Sequence, residues 1–134
     1  MLEFLSQNIL LLVIIVIAAG GLLLPAIMER RFGPQLNAAA AVALINKQKA
    51  FVIDVRAKND FKNGSIAGAV NMPADQIQGR ISELPKDRPI LLVDQTGSAS
   101  RMVAKLLRGV GLSQTYILDG GLLGWQNEKM PITK

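Results

Sequence analysis

The residue best placed to do chemistry in this 134-residue chain is Asp94, which follows an apolar run and precedes a loop of small polar residues. A carboxylate at a strand end, followed by Thr96 and Gly97, is similar to the start of an aspartyl-phosphate site. Such a site also needs a second carboxylate two residues further on and a bound Mg²⁺. Because Thr96 occupies that second position, an enzyme that works through Asp94 is only an alternative interpretation.

The composition removes several other kinds of chemistry, because the chain contains no cysteine and no histidine. A thiolate nucleophile, a persulfide, a disulfide and a Cys/His metal or haem site are all excluded. The proton shuttle that histidine supplies near neutral pH is missing as well. We therefore predict no metal site and no cofactor. The basic residues are not interleaved with aromatic ones, and this argues against a nucleic-acid partner.

Asp94 must be positioned by the elements around it, which the apolar pattern predicts as a strand over Ile90–Val93 and a helix over Ser98–Val110. Further strands are predicted at Phe51–Val55, Ala69–Asn71 and Thr115–Leu118. Further helices are predicted from Asn37 to Asn46 and at Ala57–Lys62, Ala74–Leu84 and Gly120–Lys129. This alternation predicts an α/β fold, in which a parallel sheet of about four to five strands is covered by helices on both faces.

Residues 9–28 carry no charge and are long enough to cross the hydrocarbon core of a bilayer, at a rise of about 1.5 Å per residue. One competing interpretation is a buried core helix, but a domain this small could hardly bury such a helix on all sides. The other is a cleaved signal peptide, but Glu3 precedes the run and no Lys or Arg does. All 15 Lys and Arg residues follow residue 28, which places the N-terminus outside and the rest in the cytoplasm. We predict a transmembrane anchor at 1–31, a linker at 32–35 and a soluble domain at 36–134.

Three segments of the soluble part resemble the rhodanese family. The first family signature is matched by Val52-Ile53-Asp54-Val55-Arg56, by Asp60-Phe61 and by the run from Gly64 to Pro73. The C-terminal signature is matched by Leu118-Asp119-Gly120-Gly121, by Trp125 and by Met130-Pro131. The resemblance covers about residues 36–132. It implies a rhodanese-like fold, here joined to one transmembrane helix as in small bacterial membrane-associated members, and it implies the inner (plasma) membrane as the location.

In active members of that family, a cysteine ends the central strand and begins the pattern Cys-x-x-Gly-x-Arg-Ser. Gly97 and Ser100 match this pattern, whereas Asp94 stands at the cysteine position and Ala99 at the arginine position. A carboxylate cannot carry a sulfane sulfur, and it repels an anionic substrate. The resemblance therefore implies a catalytically inactive member, which is not an enzyme.

We expect the Asp94 carboxylate to fill the vacated pocket by accepting hydrogen bonds from the amides of the loop at residues 95–100. The alternative is that this carboxylate simply points to solvent at the strand end. Arg56 is expected to pair with Asp60, four residues on. Asp54 is expected to fix backbone at its strand end, and Trp125 is expected to lie in the core.

The combined prediction is a protein-binding or scaffold module held at the cytoplasmic face of the membrane. Its partners would be the lipid bilayer and another membrane protein or complex, and the sequence leaves the oligomeric state open. The predicted binding loop comprises Asp94, Gln95, Thr96, Gly97, Ser98, Ala99 and Ser100. A small-ligand or anion sensor using the same loop is the other alternative, and the charge of Asp94 argues against anions.

Overall fold

A computed structural model describes residues 1–27 and 32–134, together with the backbone helix that joins them. Its contacts divide the chain into two compact units, Met1–Arg31 and Phe32–Lys134. The predicted charged flank at residues 29–31 lies outside the described residues. The assignment of residues 1–31 and 36–134 to an anchor and a soluble domain stays a prediction.

The first unit is helical, with a short helix α1 at Leu2–Gln7 and a long helix α2 at Ile9–Phe32. Within α2, the 19 residues Ile9–Ile27 are apolar and none of them is buried. At about 1.5 Å per residue they extend about 28 Å, close to the thickness of a hydrocarbon core. This helix is therefore long and apolar enough to cross a membrane.

The second unit contains a five-stranded sheet in the order β1-β5-β4-β2-β3, in which every neighbouring pair is parallel. The strands are β1 Gln35–Leu36, β2 Phe51–Asp54, β3 Val70–Asn71, β4 Ile90–Val93 and β5 Thr115–Leu118. Because all five run the same way, their carboxyl ends share one edge of the sheet. That edge is where the loop after β4 begins, and the opposite edge carries the residues that precede each strand.

Helices cover both faces of this sheet, so the predicted α/β fold class is confirmed. The helices of this unit are α3 Ala38–Gln48, α4 Lys58–Lys62, α5 Ser98–Gly109 and α6 Gly121–Asn127, with a 3₁₀ helix at Ile77–Glu83. Alternate strand residues face opposite ways: Ile53 and Leu92 pack with α5 and the 3₁₀ helix, while Val52 and Leu91 pack with α3 and α6. The central strands are thus buried on both sides.

Two elements differ from the sequence prediction. Residues 32–35 were predicted to be a linker, yet Gln35 begins strand β1, Phe32 packs against the core and the Ile117 amide donates to Pro34 O at 3.0 Å. This two-residue strand forms because it pairs with β5, which is remote in the sequence, so no local sequence pattern predicts it. The helix predicted at Ala74–Leu84 is shorter in the structure and is a 3₁₀ helix at Ile77–Glu83. It contains Gly79, and glycine is a poor α-helix former.

Candidate functional site

Asp94 directly follows the central strand β4 and therefore lies at the carboxyl edge of the sheet. All four residues of β4 are buried, and the chain turns immediately after Asp94 to begin α5 at Ser98. Gly97 makes this turn with a φ of +103°, a conformation that residues with a Cβ rarely adopt. The turn bends the amides of the loop back toward the strand end, where the side chain of Asp94 lies.

Asp94 is 5% exposed, and its carboxylate accepts three hydrogen bonds from the loop. Its Oδ1 accepts from the Gly97 amide at 2.7 Å and from Ser100 Oγ at 2.9 Å, and its Oδ2 accepts from the Ala99 amide at 2.8 Å. The expectation that the carboxylate accepts bonds from loop amides is confirmed, and the alternative of a solvent-facing carboxylate is wrong. We call Asp94 with these three donors the Asp94 cradle.

The electrostatic setting of the cradle favours a negative charge. Gly97 is the N-cap of the 12-residue helix α5, and Ala99 lies in its first turn. The unpaired amides and the dipole of a helix N-terminus stabilise an anion there, and hydrogen bonds to a charged acceptor are stronger than neutral ones. The Asp94 carboxylate is therefore an internal anion in a site built to hold one.

The seven residues of the predicted binding loop divide by exposure. Asp94, Gly97 and Ser100 are buried and Ala99 is half-buried, whereas Gln95, Thr96 and Ser98 are exposed. The hydroxyl oxygens of Thr96 and Ser98 lie 3.4 Å apart. Only the exposed members can meet another molecule without opening the cradle.

Helix α6 closes the cradle from a distant part of the sequence. The Leu122 amide donates to Asp94 O at 2.8 Å, and the Leu123 amide donates to Gln95 O at 3.1 Å. A Cβ on Gly121, which has a φ of +59°, would lie 2.6 Å from the carbonyl carbon of Gln95. Sequence reasoning missed this role, although the pair Gly120-Gly121 at a helix start was the available signal.

A second polar cluster surrounds Asp54 at the end of β2, and it corrects one prediction. Arg56 does not pair with Asp60, which is exposed, but binds the fully buried Asp54 through Nη2–Oδ2 at 2.8 Å. The reason is that a buried carboxylate requires a counter-ion, and residues two apart at a strand end lie on the same side. Ser65 Oγ also donates to Asp54 Oδ2 at 2.7 Å.

The same cluster fixes the backbone, as predicted for Asp54. Asp54 Oδ1 accepts a hydrogen bond from the Arg56 amide at 2.9 Å, and Arg56 Nη2 donates to Gly64 O at 2.6 Å. Asn71 Nδ2, which sequence reasoning missed, donates to the carbonyl oxygens of both Asp54 and Arg56. The prediction for Trp125 is also confirmed, since its ring is 4% exposed and its Nε1 donates to Pro131 O at 2.9 Å.

Aspartyl-phosphate chemistry at Asp94 would need a bound metal ion and a second carboxylate. Within residues 1–27 and 32–134 no group of three acidic side chains could hold a metal ion. Thr96 is exposed and contributes no second carboxylate beside Asp94. The Asp94 carboxylate already accepts the hydrogen bonds of two loop amides, those of Gly97 and Ala99.

Comparison with known proteins defines the class. The family model described as the rhodanese-like domain matches residues 37–128, and the chain belongs to this family. Among its relatives, the uncharacterized protein YibN of Escherichia coli K12 is 36% identical over 102 residues, which are 74% of this chain and 71% of YibN. The thiosulfate sulfurtransferase GlpE of Shewanella oneidensis is 31% identical over 90 residues, 67% of this chain and 89% of GlpE.

A solved structure shows the same fold. The crystal structure of a rhodanese-related protein from Thermoplasma volcanium superposes with a TM-score of 0.69 at 26% identity, covering 75% of this chain and 97% of that one. This chain contains no cysteine, so the sulfur-carrying thiol of active members is missing although the fold around it is kept.

Proposed function

We propose that this protein is a catalytically inactive rhodanese-like domain that serves as a protein-binding module, anchored at the cytoplasmic face of the bacterial inner membrane. The Asp94 cradle carries the proposal. A carboxylate with three hydrogen bonds occupies the place of the sulfur nucleophile. With no cysteine in the chain, the domain retains its shape without its family's reaction.

Because the Asp94 carboxylate fills the pocket, the loop presents an outer surface in place of a reaction site. Gln95, Thr96 and Ser98 are exposed around the buried carboxylate. Two large apolar side chains stand exposed on the adjoining helices, Met102 at 70% on α5 and Leu123 at 46% on α6. Polar groups next to exposed apolar side chains are typical of a protein-binding surface. We call these five residues the loop surface.

The anchor supports a partner in or at the membrane. The segment Ile9–Ile27 has the length and composition of a membrane span, and the positive charge that follows it favours a cytoplasmic domain. Such an anchor confines the loop surface to a thin layer beside the bilayer. Another membrane protein or its complex is therefore the proposed partner.

The two alternatives receive less support. An anion sensor would need free amides, and the Asp94 carboxylate already takes those of Gly97 and Ala99. An enzyme using Asp94 would need a second carboxylate beside it, and Thr96 stands in that place.

Photo-crosslinking in native membranes tests the proposal. Because the chain lacks cysteine, Ser98→Cys introduces a single thiol on the loop surface, to which a benzophenone maleimide can be attached. Asn46→Cys, exposed near the end of α3 at the opposite edge of the sheet, is the matched control. We expect the Ser98 position to crosslink one protein reproducibly at native abundance, and the Asn46 position to miss it. The absence of any reproducible crosslink from Ser98 would refute a protein-binding loop surface.

A further inference from the structure

The edge of the sheet opposite the Asp94 cradle is strongly basic. Helices α3 and α5 lead back to this edge, so it gathers their last turns and the residues that precede β2 and β4. These positions hold five cations, which we call the basic edge: Lys47, Lys49, Lys86, Arg88 and Arg108. Asp87 is the acidic residue among them.

Contacts hold the basic edge together, and four of its five cations are exposed, whereas Arg108 is half-buried. The Arg88 guanidinium lies 5.0 Å from the centre of the Phe51 ring, and its Nη1 donates to Lys49 O at 3.4 Å. Lys47, Lys49 and Lys86 are exposed. Within the described part of the chain, the ion pairs are Arg56–Asp54 and Arg80–Glu83, so no cation of the basic edge is neutralised by one.

A cavity of about 230 Å³ opens at the same edge. Lys86 and Arg88 line one part of it, and Ser113 and Gln114 line another. Two cations beside hydroxyl and amide groups can bind the phosphate of a small headgroup, since charge-assisted hydrogen bonds to phosphate are strong.

The chain also enters the domain at this edge. Gly33, with a φ of +93°, packs so closely that a Cβ there would lie 2.6 Å from Arg108 Nε and 2.6 Å from Thr115 O. Four residues separate Ile27, where the apolar stretch ends, from Phe32, so five residue steps join the two. Covalent geometry limits that reach to about 18 Å. If the helix spans a membrane, the basic edge is tethered within a short distance of the headgroups.

We propose that the basic edge binds the anionic phospholipid headgroups of the leaflet beside which the domain is tethered. This inference rests on the proposed anchoring. Its physical basis is the negative potential of an anionic leaflet, which attracts Lys and Arg within a screening length of about 8–10 Å. Binding at this edge turns the carboxyl ends of the strands away from the bilayer. The loop surface then faces the cytoplasm, open to a partner.

Electron paramagnetic resonance on the full chain tests this orientation. The protein is reconstituted into nanodiscs that contain a nickel-chelating lipid, and a nitroxide is attached at Asn46→Cys on the basic-edge side or at Ser98→Cys on the loop surface. In nanodiscs rich in phosphatidylglycerol we expect nickel to relax the Asn46 label several-fold more than the Ser98 label. This difference should fall by at least half in pure phosphatidylcholine and at high salt.

A pair of charge variants completes the test. Lys47→Gln with Lys86→Gln, both exposed at the basic edge, should also halve the difference between the labels. Lys58→Gln with Lys62→Gln, exposed at the opposite edge, removes the same charge and should preserve it. Equal relaxation of both labels in the incorporated protein would overturn headgroup binding alone. A chain that fails to incorporate into the nanodiscs would overturn the anchor and this inference together.

Discussion

Removing the Asp94 carboxylate should weaken the domain far more than removing an ordinary surface carboxylate. Asp94→Ala leaves three donors without their acceptor: the amides of Gly97 and Ala99, and the buried hydroxyl of Ser100. Hydrogen bonds to charged groups contribute about 1.5–3 kcal/mol each. Relief of the desolvation of Asp94 offsets part of the sum, so we expect a loss of about 3–5 kcal/mol.

Asp94→Asn gives an intermediate expectation, because one oxygen remains. If that oxygen keeps the place of Oδ1, it still accepts from Gly97 and Ser100, but the new amide nitrogen then faces the Ala99 N–H. Two donors oppose each other, and an unsatisfied buried donor costs about 1–3 kcal/mol. The predicted order of stability is therefore wild type, then Asn, then Ala.

Urea unfolding of the detergent-solubilised chain measures these losses through the fluorescence of Trp125. It is the single tryptophan and lies in the domain core. At a slope of about 1.5 kcal/mol per molar urea, Asp94→Ala should lower the midpoint by about 2–3 M. Asp75→Ala, an exposed carboxylate, should change stability by less than about 0.5 kcal/mol. A loss below about 1 kcal/mol for Asp94→Ala would refute the view that the carboxylate holds the loop.

Three further outcomes are expected. Gly121→Ala should lower the free energy of unfolding by about 3 kcal/mol or more in the same titration, since the new Cβ would overlap the loop backbone at a positive φ. The control Gly109→Ala, where a Cβ meets open space, should leave the free energy of unfolding unchanged. Equal effects of the two substitutions would contradict the packing of Gly121 against the loop. Arg56→Ala should lower the free energy of unfolding by about 3–5 kcal/mol, because it leaves the buried Asp54 carboxylate without its counter-ion. Asp60→Ala should leave the stability nearly unchanged. The variant Asp94→Cys alone should form no thiocyanate from thiosulfate and cyanide, because Ala99 stands where active members have an arginine. Clear turnover would contradict this expectation and show that the change at position 94 alone disables the site.

The position and direction of Asp94 could be predicted from sequence because both follow from local rules. A buried apolar run ends at Val93, a helix begins a few residues later, and a helix N-terminus attracts a carboxylate. The family pattern added which residue stands in the cysteine's place. The closing contact from Gly121 could not be predicted, because it joins segments that only the fold brings together.

The partner of Arg56 shows a different limit of sequence reasoning. A spacing of four residues favoured Asp60, and that rule applies to helix surfaces. Burial decided the outcome instead, since Asp54 is fully buried and Asp60 is exposed. Strand β1 escaped prediction for a related reason. Its two residues are ordered by the neighbouring strand β5 rather than by their own pattern.

The Asp94 carboxylate gives the loop an acceptor in a chain that has no cysteine to supply one. In an active member the loop amides serve a sulfur anion, so an uncharged residue here would leave them unpaired. Asp94 supplies the anion from within the chain, and its carboxylate accepts hydrogen bonds from the amides of Gly97 and Ala99. A loop ordered in this way lowers the entropic cost of binding the proposed partner. A cradle closed in this way therefore favours the proposed protein-binding surface over a site that must bind and release a substrate.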